Sequence, residues 1–139
     1  MWIFRTRSAD RDQETDNRRL NRLTAVLDEI VSEMTIEREG LEARCRKTKE
    51  DAAFSLLALE NGADKGMSEK VDRLTMSLIL ATDRLRLLQD QIAFMGKVID
   101  ETTAFARRTV IETTQRRKAI DDQSAPNAPS SVPRPSRKA

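Results

Sequence analysis

A repeat of apolar positions, spaced alternately three and four residues apart, runs through the second half of the chain. All but two of its positions are apolar, and the spacing holds for more than five heptads. The positions are Val71, Leu74, Leu78, Ala81, Leu85, Leu88, Ile92, Met95, Ile99, Thr102, Ala106 and Thr109. Such a repeat is typical of the contact face, or seam, of a coiled-coil helix. The pattern predicts one long helix over residues 68–120.

The first half of the chain has a seam of its own, with one interruption. Its positions are Leu20, Leu23, Leu27, Ile30 and Met34, followed by Leu41, Cys45, Thr48, Ala52, Ser55 or Leu56, and Leu59. Glu37 stands where an apolar residue is due, next to Gly40, which has a weak helix propensity. The pattern predicts a helix over residues 12–60 that contains a stutter, a local change of phase that unwinds the supercoil.

Residues 61–67 are predicted to form a short loop between the two helices. Gly62 suits the position just after the end of a helix, and Ser68 suits an N-cap. Because a short loop makes two long helices antiparallel neighbours, we expect the two seams to face each other, with Leu41 near Leu88.

The two ends of the chain are expected to lie outside the hairpin. Residues 121–139 contain all four prolines together with serine and asparagine, a composition that predicts a disordered C-terminal tail. Residues 1–11 are expected to form a flexible N-terminal segment. The predicted fold class is therefore all-α: an antiparallel two-helix coiled-coil hairpin that pairs into a four-helix bundle, with a disordered C-terminal tail.

Several apolar residues remain when the seams have been assigned. They are Phe54, Leu57, Met76, Ile79, Leu80, Leu87 and Phe94. Leu80, Leu87 and Phe94 are seven residues apart, so they form a stripe on the flank of the second helix. Because a two-helix hairpin buries only one seam, and exposed apolar patches mark protein contacts, we expect the protein to bind itself, another helical protein, or both.

The composition excludes most kinds of catalytic site. The chain has no histidine, no tyrosine and one cysteine, so it lacks the usual general base and most metal ligands. Cys45 lies on the seam and is expected to be a small buried hydrophobe. Glu37, Glu39 and Glu42 alternate with Arg38 and Arg44, which is typical of a solvated helix face. We expect no catalytic residue, metal, cofactor or small-molecule substrate, and therefore no enzymatic activity.

A second hypothesis rests on basic residues near the open end of the hairpin. The candidate membrane or anion contacts are Trp2, Ile3, Phe4, Arg18, Arg19, Arg22, Arg107, Arg108, Arg116, Arg117 and Lys118. Apolar residues flanked by arginines suit the surface of an anionic membrane. Nucleic acid is a weaker alternative, because no aromatic platform accompanies the arginines.

The leading functional hypothesis is a non-enzymatic coiled-coil adaptor or structural protein that self-associates. The single cysteine favours a reducing compartment. The sequence has no run of about 18 apolar residues, which a membrane-spanning helix would need. We therefore expect a cytoplasmic protein, with a location peripheral to the membrane under the second hypothesis. In architecture alone, the hairpin resembles the stalk proteins of flagellar and type III export machines, so an accessory stalk-like protein is a third hypothesis.

Overall fold

A computed structural model of the protein describes residues 8–62 and 64–124, which contain two long α-helices and no strand. Helix α1 comprises Ala9–Glu60, and helix α2 comprises Lys65–Ser124. The chain divides after Ala106 into two compact units. In the first unit, α1 packs against residues 65–106 of α2 as an antiparallel hairpin, which confirms the predicted all-α hairpin; its pairing into a four-helix bundle stays a prediction. Residues 107–124 belong to the second unit, where they continue α2.

Helix α1 begins three residues earlier than expected because Ser8 caps it. The Ser8 hydroxyl oxygen accepts a hydrogen bond from the Arg11 N–H at 3.4 Å, so it satisfies one of the backbone donors that a helix start leaves unpaired. Asp10 and Asp12 lie in the first turn, where negative charge is stabilised by the helix dipole.

The loop between the helices is shorter than predicted. Gly62 has a φ angle of +93°, which is accessible to glycine at little cost, and it directly follows the C-cap Asn61; its predicted place is confirmed. Ser68, in contrast, lies inside α2, and its prediction as an N-cap is wrong. The Met67 N–H already donates to the Asp64 carbonyl at 3.1 Å, so the first turn of α2 forms before Ser68 is reached.

The predicted seam of α2 is confirmed by burial. Leu88 is fully buried at 0% exposure, and every other seam position from Val71 to Ala106 is half-buried. The polar Thr102 takes its place in this seam because its hydroxyl donates to the Val98 carbonyl at 2.7 Å, and it therefore needs no partner on the opposite helix.

The seam of α1 continues without a stutter, so that prediction is wrong. The buried and half-buried positions keep the alternate spacing from Leu20 to Leu59 because Thr24, Val31 and Arg38 occupy seam positions. Leu23 is 47% exposed and lies beside the seam. The Thr24 hydroxyl donates to the Leu20 carbonyl at 3.0 Å, and the long alkyl stem of an arginine can cover apolar surface, so polar residues are tolerated here.

The two helices meet in a register that differs from the predicted one by about one heptad. Leu41, Cys45, Leu78 and Ala81 line one groove, so Leu41 lies near Ala81 and not near Leu88. A slide of one heptad brings an equivalent seam position to the same place, and the apolar pattern alone therefore cannot select the register. The earlier start of α2 shortens the loop and moves the register in the observed direction.

The end of α2 also differs from the expectation. The helix continues to Ser124, so residues 121–124 are helical and do not belong to a tail. The rest of the predicted tail, from residue 125, and the first seven residues lie outside the described part of the chain. Within the described part, neither helix has a stretch long and apolar enough to cross a membrane.

Candidate interaction surface

The outer flank of α2 carries a second repeat with alternate spacing of four and three residues. It consists of Leu80, Arg84, Leu87, Gln91 and Phe94, and we refer to these five residues as the second seam. Leu80 is 64% exposed, Leu87 49% and Phe94 63%. The first seam of α2 is covered by α1, but the apolar members of the second seam face solvent. Helix α2 therefore has two faces with the spacing of a helix–helix contact.

Arg84 in the second seam is held in place by an ion pair across the hairpin. Its Nε donates to Glu37 Oε1 at 2.8 Å, and its Nη2 donates to Glu37 Oε2 at 2.9 Å. This two-pronged geometry fixes the guanidinium more firmly than a single contact does. The hydrogen bond from Arg84 lowers the pKa of Glu37, and the same bond raises the pKa of Arg84. The cation in the second seam is therefore balanced by a carboxylate of α1.

Glu37 and its neighbours correct the expectation of a fully solvated charged face. Glu37, Arg38 and Glu42 are half-buried. The Arg38 Nε atom is buried and has no hydrogen-bond partner, although Glu42 Oε1 lies 3.8 Å away. Arg38 lies on the continuous seam of α1, so these charges lie at the edge of the contact between the helices.

All seven residues predicted to form a protein contact are exposed. Met76 is 58% exposed and lies one turn before Leu80, beside the line of the second seam. Ile79 is 52% exposed, but it points about 100° away from Leu80 around the helix. Phe54 and Leu57 are 72% and 55% exposed on α1. Exposure is what a contact surface requires, and the contact itself stays a prediction.

Arg84 and Gln91 are parts of this surface that the apolar pattern does not reveal. A search for apolar residues alone finds only the heptad spacing of Leu80, Leu87 and Phe94. Arg84 and Gln91 complete the alternate spacing of four and three residues when polar residues are included in the repeat. Ile36 on α1 is a further exposed apolar residue, at 67%, and it lies outside the predicted contact set.

Cys45 is a buried free thiol with 7% exposure, which confirms its predicted place on the seam. It lines the groove between the helices beside Leu41, Leu78 and Ala81. Among the described residues, no group of histidine, cysteine, aspartate or glutamate side chains is arranged to hold a metal ion.

The basic residues of the second hypothesis are distributed over several parts of the chain. Arg18 lies 3.7 Å from Glu14, and Arg19 lies 3.2 Å from Asp16. Arg22 is exposed and lines a groove with Leu23 and Val26. The remaining described members, which are exposed in the second unit, are Arg107, Arg108, Arg116, Arg117 and Lys118. Trp2, Ile3 and Phe4 lie outside the described residues, so the proposed cluster stays a prediction.

Comparisons of this chain with family models, with curated proteins and with solved structures find no match.

Proposed function

We propose that the protein is a non-enzymatic coiled-coil adaptor or structural subunit, and that it binds another helix along the second seam of α2. The observation that supports this proposal is the exposure of Leu80, Leu87 and Phe94 at heptad spacing on a helix whose first seam is already covered. A helix that docked there would pack its side chains between those of the second seam, as the helices of a coiled coil do.

The length of the second seam suits contact with one helix. Leu80 and Phe94 are about 21 Å apart along the helix axis, which is about four helical turns. Full burial of each leucine or phenylalanine side chain contributes about 1.5–3 kcal/mol relative to exposure. Part of this free energy offsets the loss of translational and rotational freedom on association, so the three apolar residues act as anchors and the polar residues between them set the alignment.

The proposed location of this activity is the cytoplasm. Cys45 is a free thiol within the helix contact, and a reducing compartment keeps such a thiol reduced. The proposal is tested by adding an epitope tag to the chain and measuring in which compartment of the producing cells the tagged chain is found.

The docking proposal is tested by a photo-crosslinking amino acid placed at residue 87 or, as a matched control, at residue 86. Arg86 is also exposed, but it points about 100° away from Leu87 around the helix. We expect a discrete adduct of higher mass from residue 87 and little or none from residue 86 when the intact chain is illuminated in the cells that produce it. Equal labelling from both positions, or none from either, contradicts the proposal.

A second test uses charge to block the surface. Leu80→Glu/Leu87→Glu places two carboxylates in the second seam, whereas Thr82→Glu/Gln89→Glu places two at the same spacing on a different side of α2. Both pairs are exposed, so far-UV circular dichroism should show the same helix content in both variants. Light scattering should show that only the first variant loses the assembly, and loss in both variants argues against the second seam.

A further inference from the structure

The side chains along the outer flank of α2 form complementary pairs at equal distances on either side of Leu87. Leu80 and Phe94 each lie seven residues from Leu87, one on either side, and Arg73 and Glu101 each lie fourteen residues from it. Because these distances are multiples of seven, all five residues lie on one line of the coiled-coil surface. The order along this line is basic, apolar, apolar, apolar and acidic.

We infer that the helix bound by the second seam is α2 of a second copy of this chain, antiparallel to the first, with the two-fold axis at Leu87. This inference rests on the function proposed above and names its partner. A two-fold interface is self-complementary, so if residue i meets residue j, then j also meets i. Leu87 meets Leu87 of the second copy, Leu80 meets Phe94, and Arg73 meets Glu101 twice in each dimer.

The charges at the two ends of this line select the antiparallel register. Arg73 and Glu101 are exposed, and neither forms an ion pair within the part of the chain that the structure describes. A parallel dimer would place Arg73 beside Arg73 and Glu101 beside Glu101, and like charges at such positions are destabilising. An antiparallel dimer displaced by one heptad would lose both ion pairs, and it would place Arg73 against Phe94 or, in the other direction, Glu101 against Leu80.

The ion pair between Arg84 and Glu37 makes the centre of this surface suitable for burial. Arg84 lies between Leu80 and Leu87, so it approaches the two-fold axis in the inferred dimer. An unpaired cation would oppose association because burial of an uncompensated charge is costly. Since Glu37 already accepts both of its hydrogen bonds, the dimer buries a pair whose charges are balanced.

The test reverses the two end charges separately and together, and measures association by analytical ultracentrifugation at low ionic strength. Arg73→Glu alone and Glu101→Arg alone should each weaken the dimer by about tenfold, because each introduces two like-charge contacts. The double variant Arg73→Glu/Glu101→Arg should recover the wild-type association. An equimolar mixture of the two single variants should also recover it, because in a mixed dimer every reversed residue meets a residue of opposite charge.

A second measurement locates the axis itself. Leu87→Cys in a Cys45→Ala background should form a disulfide-linked dimer under mild oxidation, because a residue on a two-fold axis meets its own copy. Arg86→Cys in the same background is the matched control and should crosslink much less. Far-UV circular dichroism confirms that each variant keeps its helix content.

The outcomes separate this inference from the proposed function. A monomeric wild-type chain, or a dimer in which the mixture of single variants associates no better than either variant alone, overturns the inference. If the photo-crosslinker at residue 87 still captures a different protein, the proposed function stands and only the identity of the partner is wrong. If residue 87 captures nothing, both fail. Recovery in the mixture together with the Leu87→Cys crosslink supports both.

Discussion

Glu37 and Arg84 join the two helices of the hairpin by two hydrogen bonds, of 2.8 and 2.9 Å, between one carboxylate and one guanidinium. The two residues are 47 positions apart in the chain. Their side chains lie beside the contact between the helices and are each 41% exposed, so the pair links α1 to the second seam of α2. The Glu37–Arg84 pair is polar and directional, whereas apolar seam contacts are not. The pair therefore helps to select one alignment of the two helices.

The Glu37–Arg84 pair should make the stability of the hairpin depend on pH. The hydrogen bond from Arg84 lowers the pKa of Glu37 in the folded state. The contribution of the ion pair to the stability of the hairpin is therefore fully present above the ordinary glutamate pKa of about 4.3. This contribution is lost as the pH falls through the lower pKa that Glu37 has in the folded state. We expect Glu37→Gln to lower the melting temperature at neutral pH and to have much less effect in strong acid.

Circular dichroism melting curves at both pH values measure this difference. The control is Glu39→Gln, two residues away on the exposed surface of α1, which should change the melting temperature little at neutral pH. A difference between wild type and Glu37→Gln that stays constant down to strong acid is the result that would contradict the prediction.

Truncation of Leu88 should destabilise the hairpin more than truncation of an exposed apolar residue. Leu88 is fully buried, so Leu88→Ala should lower the free energy of unfolding by about 2–5 kcal/mol. Ile36 is 67% exposed on α1, and Ile36→Ala should change it by no more than about 0.5 kcal/mol. Urea unfolding followed by circular dichroism gives both values, and similar losses for the two variants would show that Leu88 is not the centre of the contact.

Replacement of Gly40 should stabilise α1. Gly40 is exposed in the interior of the helix, and a Cβ atom added there meets nothing within 4 Å. Gly40→Ala should therefore raise the free energy of unfolding by about 0.5–1 kcal/mol, because alanine loses less backbone entropy on forming a helix. Gly62→Ala should have the opposite effect, since the φ angle of +93° at Gly62 is strained for a residue with a Cβ atom. Thermal unfolding of both variants checks this contrast, and a Gly40→Ala variant that melts below wild type would show that Gly40 has a role other than helix formation.

Vesicle binding separates the adaptor hypothesis from the membrane-surface hypothesis. We expect no binding of the protein to anionic vesicles in a sedimentation assay. Contact through Trp2, Ile3 and Phe4 would instead give binding that falls steeply with salt and is lost when these three residues are changed to serine. A nucleic-acid binder would keep its salt-dependent affinity for nucleic acid after that substitution.

The helices were predictable from the sequence because their apolar spacing is regular, but the details of the contact were not. Thr24 and Arg38 lie on the α1 seam. A search for apolar residues takes Leu23 in place of Thr24, and that choice shifts the repeat so that Glu37 falls where an apolar residue is due. The register could not be read from the seams, because Leu88 and Ala81 are equivalent partners for Leu41 under a slide of one heptad.

The exposed stripe of Leu80, Leu87 and Phe94 was predictable because these residues remain when the first seam has been assigned. The ion pair in the same surface was not, because local sequence carries no signal that connects Glu37 to a residue 47 positions away. Glu37 and Arg84 lie side by side because of the loop length and the register of the two helices.

The distribution of buried side chains along the hairpin has a dynamic consequence. Of the five buried residues in the described range, Cys45, Ala52 and Ser55 lie on the loop side of the Glu37–Arg84 pair, Leu88 lies one turn beyond Arg84 on the other side, and Leu27 alone lies farther from the loop. Regions with few buried contacts open locally at lower cost in free energy. The ends of the arms far from the loop should therefore fray first, and their backbone amides should exchange with solvent deuterium sooner than those around Cys45. We therefore expect the hairpin to open at the end far from the loop before it opens at the loop.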